Sequence, residues 1–344
     1  MTRRLSTQGL TEGAIQAALV AVFALATRYV PVIGLATAFL VPLPLIVLTV
    51  RRGLPPAVLA AAVAGIIAGT LSGSLLLGVG ILVTVAPLAL TVGLGARRGW
   101  TAARILGAAF LVTAVSMVIN LGLILAFSGV SPLDEMNTLV ESMRQGQEAS
   151  LALYRRLGIN PPGAEEANRQ MAQLFALMPK LLPTLLLLGA LVSAWLNFQV
   201  ARPIMGRLGH PLPALPPART WRIPGFVLWL LPLAFVLVAL GERQVVTLSD
   251  RLRSTLPRPP VVLPPELGLN VMFLVQTTFA VQGVLVTWVL LGRYTVPAIR
   301  ILLLAFFLFN PFFSMLILIL GLADSAFPLR ERFGPRPVLP EAPA

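Results

Sequence analysis

The sequence predicts an all-helical transmembrane bundle of eight or nine spans, with six in an N-terminal unit and two or three after it. Three observations predict it. Of the 344 residues, 57% are hydrophobic and 11% charged, and mean hydropathy is +0.88. Soluble domains carry about 25% charged residues, so this chain has too little polar surface to coat a water-soluble globule. The apolar residues fall into nine runs of near-membrane length: 13–29, 35–50, 55–72, 75–96, 101–128, 177–206, 224–241, 268–292 and 297–323. The basic residues gather between alternate runs.

Each run is read as a helix because lipid leaves backbone polar groups without water, and a helix satisfies them within one segment. A crossing takes about 20 apolar residues. A β-barrel would alternate apolar and polar residues, whereas Leu181-Leu182-Pro183-Thr184-Leu185-Leu186-Leu187-Leu188 does not. Run 13–29 has no typical small-residue cleavage site and flows into the next run, so it is read as the first span and not as a signal peptide. Run 35–50 is short and contains Pro42 and Pro44. The last run breaks at Asn310-Pro311, where the missing N–H and the ring of proline disturb the preceding turn. A kink and a re-entrant hairpin both fit that break.

Orientation follows from arginine, because cytoplasmic loops collect Arg and Lys. With Arg3 and Arg4 inside, alternating spans place Arg51-Arg52, Arg97-Arg98, Arg104, Arg202, Arg207, Arg219, Arg222 and Arg293 inside as well. The loops 129–176 and 242–267 then lie outside. The first holds Asp134, Glu135, Glu141, Glu148, Glu165 and Glu166 against four arginines. Nine full spans put the tail outside with Arg330, Arg332 and Arg336; eight put it inside. Trp100, Trp221, Trp288 and Tyr294 fall near the cytoplasmic boundary and Tyr29 near the outer one, as interfacial aromatics do. Arg28 and Arg300 sit close enough to span ends to snorkel.

The outer loop predicts two amphipathic helices. Ser131-Pro132-Leu133-Asp134 reads as a cap with proline in the first turn. Leu133, Met136, Val140 and Met143 then recur at helical spacing. Asn160-Pro161-Pro162-Gly163 interrupts the pattern. A second stretch, 164–178, carries Met171, Leu174, Phe175 and Met178. Such helices lie on the membrane face or lid a cavity. The chain thus divides into a six-span unit 1–206, a proline-rich cytoplasmic connector 207–223, C-terminal spans 224–323 and a tail 324–344.

Net charge is +13, from 26 Lys and Arg against 13 Asp and Glu, and Lys180 is the only lysine. No basic run exceeds two residues, so the excess is read as span orientation and not as nucleic-acid binding. The absence of cysteine excludes disulfides and thiol chemistry. His210, the only histidine, lies in a Gly-His-Pro-Leu-Pro loop. There is no metal-ligand spacing, no Gly-x-Ser-x-Gly elbow and no phosphate-binding loop. The expectation is a non-enzyme without a cofactor, whose certain partner is the lipid bilayer.

Two patterns remain as candidates for function. The first run places Ala14 and Ala18, then Ala17 and Ala21, four residues apart. Small residues at that spacing let helix backbones approach closely, either within the chain or on a partner membrane protein. Uncharged polar residues also lie deep in the runs: Asn120, Asn197, Gln276, Thr278 and Gln282. Buried polar groups need partners, so these either bond between helices or line a site for a small-molecule ligand. Asp324, at the end of the last run, is read as a cap or boundary, and no deep carboxylate is expected.

Four segments carry a resemblance: Thr11-Glu12-Gly13-Ala14, then Val41-Pro42-Leu43-Pro44 with Arg51-Arg52-Gly53, then Arg97-Arg98-Gly99-Trp100, and Leu320 to Phe327 with Arg330. In this order, over residues 9 to 332, the chain resembles the YybS-like family of bacterial predicted membrane proteins, which is defined by a domain of unknown function. The first six spans are more distantly similar to the S components of energy-coupling-factor vitamin transporters and to the cell-shape protein MreD. The S-component likeness implies that Ala14 and Ala18 meet a coupling subunit, and a solute-binding role implies an outward-opening cavity lined by residues such as Asn120, Asn197, Gln276 and Gln282. The MreD likeness implies a non-transporting scaffold for cell-envelope or division partners. The long outer loop and the C-terminal spans depart from the S-component pattern.

Overall fold

The computed structural model describes residues 7–30, 33–158, 164–217, 220, 221, 223–241, 266–292, 295–327, 329 and 330. The interruption at 160–163, the loop 242–265, the tail 331–344 and Arg3, Arg4, Arg219, Arg222, Arg293 and Tyr294 lie outside them. Among the described residues every regular element is helical. Six helices among the described residues are long and apolar enough to cross a membrane, seven if one bent pair forms a single span. The chain divides into two compact units, 1–215 and 216–344.

In the first unit, α1 (Thr7–Tyr29) packs against α4 (Leu54–Ser72) through small side chains. Gly13, Ala17, Val20, Ala21 and Ala24 are buried on α1, and Ala57, Ala60, Ala61, Ala64, Gly65 and Ala68 on α4. With no long side chain on either face, the two backbones approach closely. Ala21 is therefore spent on this internal contact, whereas Ala14 and Ala18 remain exposed.

The run 35–50 is not one helix. It forms α2 (Ile33–Ala38) and α3 (Leu43–Arg52), separated by a turn at 39–42. Pro42 and Pro44 explain the division: proline suits the first turn of α3 but not the interior of a continuous helix. Leu45, Ile46, Leu48 and Thr49 of α3 are at most 1% exposed, so this short helix is core.

Gly73, at φ +64°, ends α4 in a left-handed cap, and Ser74 accepts the Leu77 N–H to start α5 (Leu75–Arg97). Gly65 and Gly78 face each other across the hairpin, where a Cβ on Gly65 would lie 2.8 Å from the Gly78 carbonyl. Within α5, residues Ile81–Val85 form a π turn, closed by the Ala86 N–H on the Ile81 carbonyl. Pro87 lies two residues beyond it. Proline cannot donate to the carbonyl four residues back and its ring crowds that group. The wider turn relieves the conflict without breaking the span.

Thr101 caps α6 (Ala102–Ser128), and Gly129 at φ +70° ends it. Ser131 then starts α7 (Pro132–Arg156), its Oγ accepting the Asp134 N–H at 3.1 Å. Like the expected outer-loop helix, α7 is amphipathic, and it has no buried residue. It touches α8 (Ala164–Leu177), where Gln147 Nε2 bonds Asn168 Oδ1. The last helix of the unit, α9 (Leu182–Arg207), packs on α6 and buries Phe198, Ala201 and Met205.

The second unit contains α10 (Val227–Gly241), α11 (Glu266–Leu291), α12 (Pro297–Phe309) and α13 (Pro311–Ala326). At 1.5 Å per residue, the 15 described residues of α10 extend about 22 Å, against about 30 Å for a hydrocarbon core. The last apolar run is two helices bent by 104° at Asn310-Pro311. The Phe307 and Phe313 rings stack across the bend with centroids 5.0 Å apart. α11 and α13 pack through Gly283 and Gly321: a Cβ on either would collide with the carbonyl of Ile317 or Phe279.

Candidate functional site

The two ends of the first unit differ in chemistry. At one end, Glu12 holds Arg51 at 2.7 Å and Arg52 at 2.6 Å. Arg97 donates to the Thr49 carbonyl at 3.4 Å, and the Arg104 guanidinium lies 4.5 Å from the Trp100 ring centroid. Three separate sequence motifs thus meet: the acid of the first, the arginine pair of the second and the leading arginine of the third.

At the other end, α1, α4 and α6 finish and α5 and α7 begin. The termini of α1, α5, α6 and α7, with Ala38 of α2 and Val41 beyond it, line an open cavity of about 810 Å³. Its volume falls in the range of small-molecule sites, about 300–1,000 Å³. Arg28 enters from the last turn of α1, Asn120 and Ser128 from α6, and Glu135 and Thr138 from the first turns of α7. The π turn forms part of the wall through Ile81, Thr84 and Val85. Ala24, Ala38, Val41, Leu76, Leu77 and Ile124 supply apolar lining.

Several hydroxyl protons at this cavity are already committed. Thr84 donates to the Gly80 carbonyl at 2.6 Å, Ser128 to Ile124 at 2.6 Å and Thr138 to Asp134 at 2.9 Å. Thr27 and Thr37 share a bond at 3.0 Å and also reach the carbonyls of Phe23 and Gly34. Oxygen lone pairs therefore predominate. Among the described residues, the side chains of Arg28, Asn120 and Glu135 have no ion-pair or hydrogen-bond partner.

Of the deep polar residues in the first unit, Asn120 lines the 810 Å³ cavity, whereas Asn197 is not among its lining residues. Asn197 is buried on α9, its amide donating to the Ser193 carbonyl at 2.8 Å. In the second unit, Gln276 is half-buried on α11, and Thr278 donates to the Leu274 carbonyl at 2.8 Å. Gln282 is 2% exposed and donates to Asp324 Oδ2 at 2.8 Å.

That contact corrects the reading of Asp324 as a boundary residue. Its side chain is 2% exposed and that of Arg330 is 3% exposed. Arg330 Nη2 lies 2.8 Å and Nε 3.0 Å from Oδ2, and its backbone N–H reaches Oδ1 at 3.2 Å. Burying one charge alone is costly, and the pairing offsets that cost. Gln282, Asp324 and Ser325 border a second cavity, of about 380 Å³, with Ile223, Pro224 and Gly225. Pairing across 42 residues leaves no mark in hydropathy, so the sequence did not reveal it. Arg28 and Glu135 were equally hidden, the first resembling a snorkelling side chain and the second one of many loop acids. Pro87 inside a long apolar run was the available signal for the π turn.

Among the described residues no group of three or more His, Cys, Asp or Glu is placed to hold a metal ion. The predicted membrane protein family DUF2232 matches residues 18–325. "Uncharacterized protein YybS" of Bacillus subtilis (strain 168) is 26% identical over 334 residues, covering 95% of this chain and 98% of the relative. No solved structure matches the chain. A match that starts within α1 and ends at the residue after Asp324 takes in both units, and the chain belongs to the predicted membrane protein family DUF2232.

Proposed function

We propose that this protein is the solute-binding component of a membrane transport system, with an N-terminal unit built like an S component. The 810 Å³ cavity carries the reading. It combines an apolar wall, a few convergent polar groups and a π turn, a feature frequent at functional sites. The protein is read as a multi-pass cell-membrane protein with a cytoplasmic N-terminus, the cavity opening on the opposite face. The short helices α2, α3 and α10 and the bent α12–α13 pair supply the crossings beyond the six long helices, for eight or nine in all. The protein has no catalytic role in this reading. The chain lacks a nucleotide-binding motif, so energy comes from a partner. Exposed Ala14 and Ala18 form the face for that partner.

Gly80 offers a test, because it lines the cavity and a Cβ there meets nothing within 4 Å. The full chain, purified from native membranes, is expected to retain a small molecule detectable by mass spectrometry. Gly80→Trp fills the cavity and is expected to lose at least nine-tenths of it while remaining monodisperse. Equal retention by both proteins, or none by either, overturns the reading.

One observation favours a scaffold for envelope or division partners instead. Ala14 borders a shallow groove of about 110 Å³ formed with Gly13, Ala17, Pro56 and Ala60, open to a neighbouring helix. A photo-crosslinker at Ala14 separates the two readings. Capture of an ATPase-linked coupling protein supports transport, and capture of wall-synthesis proteins supports scaffolding.

A further inference from the structure

Resting on the solute-binding reading, the geometry points to a zwitterionic, amphipathic occupant of the 810 Å³ cavity, its anionic group held by Arg28 and its ammonium by Glu135. The cavity lining carries one basic and one acidic side chain, from different helices, and neither has an ion-pair partner among the described residues. Had the two groups paired with each other, the cavity would offer an occupant little charge. Unpaired with each other, they leave both charges available to an occupant.

The neutral lining agrees. The protons of Thr84, Ser128 and Thr138 are directed to helix carbonyls, so these oxygens only accept, and that of Ser128 already takes the Val130 N–H at 3.2 Å. An occupant with several N–H donors, as an ammonium has, satisfies them together with Glu135. Its anionic group takes the guanidinium, whose forked donors match a carboxylate or a phosphate. Asn120 supplies one more donor and acceptor. The aliphatic remainder, from Ala24 to Ile124, requires an apolar body on the same molecule.

Two sources supply this chemistry: a free amino acid or short peptide, and the headgroup of an aminophospholipid. The test uses the full chain in phosphatidylglycerol nanodiscs, which lack ammonium groups. The soluble probes are L-tryptophan, N-acetyl-L-tryptophan and L-tryptophanamide, which separate the two charges on one apolar body. The lipid probe is phosphatidylethanolamine, mixed in and scored by native mass spectrometry for retention over phosphatidylglycerol. If the source is free solute, tryptophan binds at least tenfold more tightly than either single-charge analogue. Arg28→Gln then brings tryptophan down to the amide, and Glu135→Gln brings it down to the acetylated form. If the source is lipid, phosphatidylethanolamine is retained preferentially, and both variants remove the preference. Both side chains are exposed, so neither substitution threatens folding. Equal binding of all three tryptophan forms without lipid preference overturns the zwitterion assignment, as does binding that ignores both variants. In those cases loss of the co-purifying molecule in Gly80→Trp still upholds solute binding. Failure of every probe, lipid included, overturns the assignment as well.

Discussion

Removing the Asp324 carboxylate takes from Arg330 a buried charge that offsets part of the cost of its burial. With side-chain exposures of 2% and 3%, neither group is stabilised by water, and Gln282 adds a third contact to the same oxygen. Truncating one partner of such a pair costs about 3–5 kcal/mol, because the other charge stays buried. Asp324→Ala is therefore expected to lower the unfolding free energy by about 3 kcal/mol. Replacing both charges at once, with Asp324→Leu and Arg330→Met, is expected to restore most of the loss. Denaturant unfolding in mixed micelles measures both, and an Asp324→Ala protein as stable as the wild type rejects the argument. The Glu12 cluster is a useful contrast. Arg51 and Arg52 are 44% and 33% exposed at the side chain, so the same kind of contact there is screened and worth about 1 kcal/mol or less. Burial decides which of the two ion pairs the fold depends on.

At the scale of the element, the apolar run reports a helix but not its defects. Runs 55–72, 75–96 and 101–128 match α4, α5 and α6 to within three residues, because apolar length alone sets a span. The run 35–50 has the same composition but divides, since Pro42 and Pro44 favour a new first turn over continuation. Asn310-Pro311 was legible as a break, but neither its 104° angle nor the close packing of α13 on α11 through glycines is encoded in hydropathy. The π turn in α5 is the most consequential defect, because it lies in the cavity wall. If Pro87 causes it, Pro87→Ala returns an N–H to the Val83 carbonyl and an α-helical turn becomes available. Removing one residue's bulge rotates the flanking segment by about 100° and turns Thr84 away from the cavity. The chain has no cysteine, so Thr84→Cys is a unique label site. A water-soluble maleimide is expected to modify it several-fold more slowly when Pro87→Ala is added. Unchanged labelling assigns the π turn to another cause. The site was legible only in fragments: Asn120 stood out as a polar residue in an apolar run. Arg28 and Glu135 gained meaning only when helix ends 107 residues apart in sequence came together.

For the whole molecule, charge asymmetry supports the orientation proposed for the first unit. The Glu12, Arg51, Arg52, Arg97 and Arg104 end is strongly basic, and the cavity end carries Arg28 beside the acid-rich start of α7. Arginine near span ends sets orientation, whereas acids contribute little. In the proposed orientation, the basic end faces the cytoplasm and the cavity the opposite side. Single cysteines read this directly in the cysteine-free chain. Leu75→Cys and Val130→Cys place exposed thiols at the cavity end, and Arg98→Cys and His210→Cys place them at the tips following α5 and α9. In intact cells a membrane-impermeant maleimide is expected to modify the first two and spare the second two, which react only after permeabilisation. The opposite pattern inverts the protein and turns the cavity toward the cytoplasm. Uptake from outside is then excluded, and a carrier loading from within becomes the only transport reading left. Labelling of one residue from each pair breaks the alternation of α4, α5, α6 and α9 as crossings and, with it, the six-span unit itself.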